Sequence, residues 1–258
     1  MVSQLQVFFL PTVRLAALVF FLLAVCQSAT GADKLQRIFS SGEQRVALIE
    51  LFTSEGCSSC PPADRWLSQL KSDPGLWKDY VPIAFHVDYW DYIGWEDRFA
   101  RPEYGDRQRR HAQAGGAPAV YTPGMFRQAR DWQGWRGGQR PQRDDSEAGV
   151  LRLILEGDRV RIHFDDRQSQ ARDLNVYLAL LGMNLETSVR AGENRGRTLR
   201  HDFVALDLVS VRLRWTASGY EASTRIPRSR LATGELALAA WASEAGSLEP
   251  IQSAGGYL

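Results

Sequence analysis

The chain has 258 residues, 44% of them hydrophobic and 24% charged, proportions that exclude both a disordered chain and a multi-span membrane protein. Lys and Arg total 31 against 30 Asp and Glu, and the resulting net charge of +1 is too small for the electrostatic footprint of a dedicated nucleic-acid binder.

The first predicted element is the unbroken apolar run at residues 15–26, preceded by Arg14 and followed by small and polar residues up to Ala32. This is the pattern of a secretory signal, and residues 1–32 are expected to be a signal peptide. The alternative is an uncleaved N-terminal anchor, because counting residues 7–13 extends the apolar stretch to about 20 residues, enough to span a bilayer. Either way the expected location is periplasmic or secreted, with possible anchoring to the inner membrane. Of the three cysteines, Cys26 falls in this segment, which leaves Cys57 and Cys60, spaced C-x-x-C, in a compartment where disulfides persist.

Residues 46–52 read as a buried strand and 61–70 as an amphipathic helix with Ala63, Trp66, Leu67 and Leu70 on one face, so the cysteines sit at a strand-to-helix turn. A second apolar strand, 81–87, runs into Asp88-Tyr89-Trp90-Asp91-Tyr92, and an Arg-rich helix at 102–114 is closed by Gly115-Gly116. A short strand entry at 119–123 is interrupted by Pro123. Strand, helix, strand, helix, strand is the order that builds a mainly parallel sheet. Residues 131–147, poor in aliphatic side chains, read as a linker. Beyond it come a hairpin, 150–155 and 160–164 around Glu156-Gly157-Asp158-Arg159, and strand-like runs at 174–183, 199–208, 211–215, 220–226 and 236–242. This spacing predicts a β-sandwich. The expected class is therefore α/β in residues 40–137, followed by a β-rich, sandwich-like domain in residues 148–256.

A cysteine in the first turn of a helix faces unpaired backbone N–H groups and the positive end of the helix dipole, which favour thiolate over thiol. Cys57 is expected to be the accessible, attacking thiol, and Cys60, one turn further on, to resolve a mixed disulfide by intramolecular attack. Pro61 has no N–H to lose and pre-sets φ for the helix. The alternative is a static structural disulfide, although so short a loop restrains an unfolded chain little. His86 and Asp88 alternate on the second strand and share a face, where they could polarise the thiolate or, with Cys57 and Cys60, bind a metal. The ordinary alternative for His86 is a hydrogen-bonded core residue. Tyr89, Trp90, Tyr92 and Trp95 could be a platform for an unfolded client or packing between the two halves. Glu193-Asn194-Arg195 reads as a polar turn with no chemical role.

The run Glu50-Leu51-Phe52-Thr53-Ser54-Glu55-Gly56-Cys57-Ser58-Ser59-Cys60-Pro61-Pro62-Ala63-Asp64 resembles a thioredoxin-like redox site. It is more closely similar to the motif of an uncharacterised, secreted bacterial family of unknown function. The resemblance extends through residues 86–95, Arg107-Gln108-Arg109, Tyr121-Thr122-Pro123 and residues 192–199. It implies a thioredoxin-like fold, a cis bond before Pro123 that places this proline in the substrate groove, and Glu50 as the acid that takes the Cys60 proton. The alternative for Glu50 is an edge carboxylate that caps a loop. After Pro123, Gly124-Met125-Phe126-Arg127-Gln128 replaces the strand and tight turn of the family pattern. The implied activity is thiol-disulfide exchange without a cofactor, with a protein or small-thiol client and a redox partner in the envelope. Two rivals are a copper or zinc carrier using Cys57, Cys60 and His86, and a non-catalytic envelope binding module.

Overall fold

The computed structural model describes residues 36–168 and 171–258, with Met1, Val2, Gln4 and Gln6. Apart from those four residues, the expected signal or anchor at 1–32 lies outside the described residues. Among the described residues no helix is long and apolar enough to cross a membrane.

The N-terminal part carries strands β1 (Arg37–Ser40) and β2 (Ala47–Thr53), helix α1 (Pro61–Gln69), strand β3 (Tyr80–His86), helix α2 (Pro102–Gln113), and strands β4 (Gly124–Arg127) and β5 (Arg130–Asp131). Next come β6 (Gly149–Glu156), β7 (Arg159–Asp166), β8 (Leu174–Gly182), β9 (Leu185–Ser188) and β10 (Thr198–His201). The chain ends with β11 (Val204–Arg212), β12 (Arg214–Thr216), β13 (Gly219–Arg225), β14 (Leu236–Glu244) and β15 (Pro250–Tyr257).

Every residue of β2 and β3 is buried, as their mainly apolar character requires of parallel strands covered on both faces. β3 pairs in parallel with β2 on one side and with β11 on the other. The result is one eight-stranded mixed sheet, β15-β14-β8-β11-β3-β2-β4-β5, that runs through both sequence halves. A second, antiparallel sheet, β1-β6-β7-β13-β12, packs against it. In β6, Leu151, Leu153 and Leu155 point inward while Arg152 points out. They meet Val176, Leu178 and Leu180 of β8 and Leu238 and Ala240 of β14 in a second core. The alternate residues of the same strands, Ala179 and Leu181 with Ala239 and Trp241, enter the other core, around β2, β3 and the helices.

These findings correct the expected fold class. The chain is a β-rich fold with two α-helices among the described residues, not an α/β thioredoxin-like domain followed by a β domain. The local strand-helix-strand order is present, but β3 finds its second neighbour in β11, more than 100 residues later. Residues 35–258 form one compact unit, so the 138–147 segment joins strands without dividing the chain. Buried Gln252 of β15 strengthens the join, accepting from the Val46 N–H at 2.8 Å and donating to the Gly149 carbonyl at 2.6 Å. Three further departures are local. The strand begins after Pro123 rather than before it, and β4 pairs antiparallel with β2. The single run expected at 199–208 is broken at Asp202-Phe203, where Phe203 adopts a positive φ of 59°. The apolar pattern also missed glycine-rich β15 of the core sheet.

Candidate active site

β2 and β3 end side by side at Thr53 and His86, and the turn at residues 54–60 springs from that edge into α1. Cys60 is the N-cap of α1, and Pro61 occupies the first helical position. Cys57 and Cys60 form a disulfide with their Cα atoms 5.4 Å apart. Ser59 Oγ lies 3.3 Å from the Cys57 sulfur and 3.5 Å from the Thr122 carbonyl, which brings the Thr122-Pro123 loop against the cysteine turn. The Thr122-Pro123 bond is cis and Pro123 is buried. Trp90 Nε1 holds this loop from the other side, donating to Thr122 Oγ1 at 2.7 Å.

Both cysteines are 0% exposed, so the expectation of an accessible Cys57 does not hold for the disulfide form. The loop between β9 and β10 is bonded to the backbone of the cysteine turn. Asn194, itself 0% exposed, donates through Nδ2 to the carbonyls of Glu55 (2.8 Å) and Cys57 (2.9 Å). The Ser58 N–H donates to Glu193 Oε2 at 3.0 Å. The Glu193-Asn194-Arg195 turn therefore belongs to the site.

Glu50 is placed elsewhere. Side chains alternate along a strand, and Glu50 points to the sheet face covered by α2, where Arg107 Nε donates to Oε1 at 2.5 Å and His111 Nε2 lies 3.2 Å from Oε2. Burial pushes the Glu50 carboxyl up, but Arg107 and His111 outweigh it and hold the pKa at about 2. Such a group is a permanent counter-ion, and it faces away from the cysteine helix.

On the α1 side of β2 a different group of buried titratable side chains collects. Asp64 sits one helical turn beyond Cys60, its N–H bonded to the Cys60 carbonyl at 3.2 Å, so both side chains lie on one face of α1. Burial pushes the Asp64 carboxyl up, and His201 and His86 offset this only in part. His201, on β10, has Nδ1 4.0 Å from Asp64 Oδ1 and Nε2 3.4 Å from Glu55 Oε1. Its ring stands edge-on to His86 with centroids 4.9 Å apart. His86 Nδ1 lies 2.7 Å from Asp97 Oδ2; burial works against its charge, but this pair prevails and raises its pKa to about 9. A cavity of about 160 Å³, lined by Pro61, Asp64, Leu199 and His201, opens beside the group.

His86 thus pairs with Asp97, while Asp88 lies beyond the strand end against Gly105 of α2. Among the described residues no three His, Cys, Asp or Glu side chains are grouped so as to hold a metal ion. The aromatic run is mostly tied down: Tyr89 donates to Gln108 at 2.9 Å and Trp95 Nε1 to Glu55 Oε2 at 2.9 Å, and only Tyr92, 83% exposed, stands free of the surface. Sequence reasoning missed Asp64, Glu55, Asp97, Asn194 and His201. The i, i+4 spacing from Cys60 could have singled out Asp64, and Asn194 lies in the 192–199 part of the family motif, whereas no local signal marks His201.

The family described as "Protein of unknown function (DUF1223)" matches residues 48–242. Among solved structures, the chain is similar to the X-ray crystal structure of an Agrobacterium tumefaciens protein, at 25% identity and TM-score 0.56, over 84% of this chain and 96% of that one. It is also similar to HBP35 of Porphyromonas gingivalis, at 14% identity and TM-score 0.55, over 84% of this chain and 76% of the other, a likeness of fold alone. No curated protein matches.

Proposed function

The chain belongs to the DUF1223 family, and from that premise we propose that it is an exported thiol-disulfide exchange protein that works through Cys57 and Cys60. The observation that carries the reading is a C-x-x-C disulfide at a helix N-terminus with a buried carboxyl, Asp64, one turn behind the second cysteine, whose proton affinity burial raises. A purely structural role fits less well, because closing so short a loop restrains the unfolded chain by about 2 kcal/mol, less than the ~3 kcal/mol of a 15-residue loop.

In the reducing direction, the Cys57 thiolate attacks one sulfur of a client disulfide, and the other client sulfur leaves as thiolate. Cys60 then gives its proton to Asp64 and attacks Cys57 Sγ, which re-forms the internal disulfide and releases the second client thiol. Two electrons pass to the client, and a thiol reductant in the envelope restores the dithiol by the same steps in reverse. The N-terminal segment, as signal or anchor, supplies the oxidising compartment this chemistry needs.

Cys60→Ser is expected to accumulate mixed disulfides with a disulfide-bonded peptide, visible as a mass increase equal to one peptide chain, while Cys57→Ser accumulates none. Adducts on both variants alike, or on neither, would contradict the assignment. A metal carrier would instead bind one equivalent of copper or zinc to the reduced chain and lose it in Cys57→Ser.

A further inference from the structure

The loop bonded to the cysteine turn has a definite chemistry. Residues 189–197 join the two-stranded ribbon β9–β10, which belongs to neither large sheet and whose β10 packs on α1. The loop is held by its own backbone bonds, among them Gly196 N–H to the Val189 carbonyl at 2.8 Å and Arg197 N–H to the Asn194 carbonyl at 3.1 Å. Gly192 has φ of +70° and packs against Ile93 and Trp95, so only glycine suits this position.

Asn194 is the one fully buried residue of the loop. Arg197 Nη1 donates to its Oδ1 at 2.9 Å, which fixes the amide with Nδ2 toward the Glu55 and Cys57 carbonyls. A carboxamide is chemically a peptide group. Next to it, the Glu193 carboxylate accepts from the Ser58 N–H. Together the two side chains give the cysteine turn a donor for its carbonyls and an acceptor for its N–H, the same complement that the backbone of a passing extended chain offers. Meanwhile the Cys57 sulfur, which an external thiolate must reach in line with the S–S bond, is covered.

We propose that residues 192–197 are an internal plug that occupies the place of a client's backbone, that the client is an extended, cysteine-bearing polypeptide segment, and that the plug withdraws before Cys57 reacts. The inference rests on Cys57 being the reacting sulfur. It adds the substrate class and the step that controls access.

The test is reduction of the Cys57–Cys60 disulfide in the full chain by dithiothreitol, which is oxidised to its cyclic disulfide as the two protein thiols appear. Quenched aliquots are alkylated and weighed. If the plug must open first, the wild-type rate rises with dithiothreitol and then levels off at the opening rate. Asn194→Ala, which loses both bonds to the cysteine turn, should react about tenfold faster in the plateau region. Its rate should stay proportional to reductant to higher concentration. A wild-type rate strictly proportional to dithiothreitol and no slower than that of Asn194→Ala overturns the plug. Should Asn194→Ala not fold, the wild-type plateau still decides, and Glu193→Gln serves as the second variant.

The client class is tested by comparing a cysteinyl decapeptide with N-acetylcysteinamide as the attacking thiol on Asn194→Ala or Glu193→Gln. Backbone pairing should favour the peptide by about tenfold, and equal rates overturn the polypeptide assignment. Dithiothreitol reduces protein disulfides whatever their role. A plateau without client turnover would therefore sink only the oxidoreductase reading, and proportional kinetics equal in wild type and Asn194→Ala, with turnover intact, would sink only the plug.

Discussion

Glu50→Gln is expected to destabilise the fold by about 3–5 kcal/mol, because removing one member of a buried ion group leaves uncompensated charge in the core. Glu50 is fully buried, Arg107 nearly so, and the Arg107 guanidinium also lies against the rings of Phe85, Tyr177 and Trp241, with the closest centroid, Trp241, at 5.1 Å. With the carboxylate gone, the nearly buried guanidinium keeps no ion-pair partner among the described residues. The pH dependence carries a sign. The folded pKa of about 2 lies below the ordinary value of 4.5, so the carboxylate contributes stability that is fully present above about pH 4.5 and is lost as pH falls through 2. Urea titrations at pH 7 and pH 3 should show the wild type losing more of its stability on acidification than Glu50→Gln does. A loss under 1 kcal/mol at pH 7 would contradict the buried-pair account. Disulfide exchange in the folded variant should stay within about twofold of wild type, since Glu50 faces α2 rather than the cysteines.

Asp64→Asn is expected to slow the resolving step by about a hundredfold at neutral pH, the usual range for removing a positioned proton acceptor. Asparagine keeps the shape and the Cys60 carbonyl bond of the helix but takes no proton. The groups facing Asp64 are His201 from β10, His86 from β3 and Thr53 from β2, with Asp97 acting in the opposite sense to the histidines. Decay of a preformed mixed disulfide on Cys57, followed by mass, isolates the step. In the wild type its rate should level off with rising pH once Asp64 is ionised, whereas in Asp64→Asn it should keep climbing with hydroxide up to the Cys60 thiol pKa. A merely structural aspartate would change the rate without changing the shape of that profile.

The local elements of the site were legible because each is announced by contiguous residues. Apolar β2 and β3, the Pro61 helix start and the C-x-x-C turn all lie within a 40-residue stretch whose periodicities need no partner to be read. What escaped is non-local. β11 completes the sheet beside β3 through a pairing that no neighbouring residue signals, and this changes an α/β reading into a mixed sheet. β15 carries Ser253-Ala254-Gly255-Gly256 where an apolar run would be sought, because the rings of Trp77 and Phe39 lie directly over Gly255 and Gly256 and leave no room for side chains. Glu50 was misjudged on parity. It belongs to the cysteine motif in sequence, yet it lies an odd number of residues from Thr53 and so points to the opposite face of β2. Asn194 and His201 come from a ribbon about 140 residues beyond the cysteines, and only its packing on α1 brings them to the site.

The central claim is that Cys57 and Cys60 exchange disulfides with a client. Its most direct test is catalytic turnover of a disulfide-bonded, unfolded polypeptide in a glutathione buffer, comparing the wild type with Cys57→Ser. The account predicts turnover above the uncatalysed rate in the wild type and its complete loss in Cys57→Ser, with both proteins folded. Equal rates in the two proteins, whether fast or indistinguishable from buffer, would contradict it and return the pair to a structural disulfide.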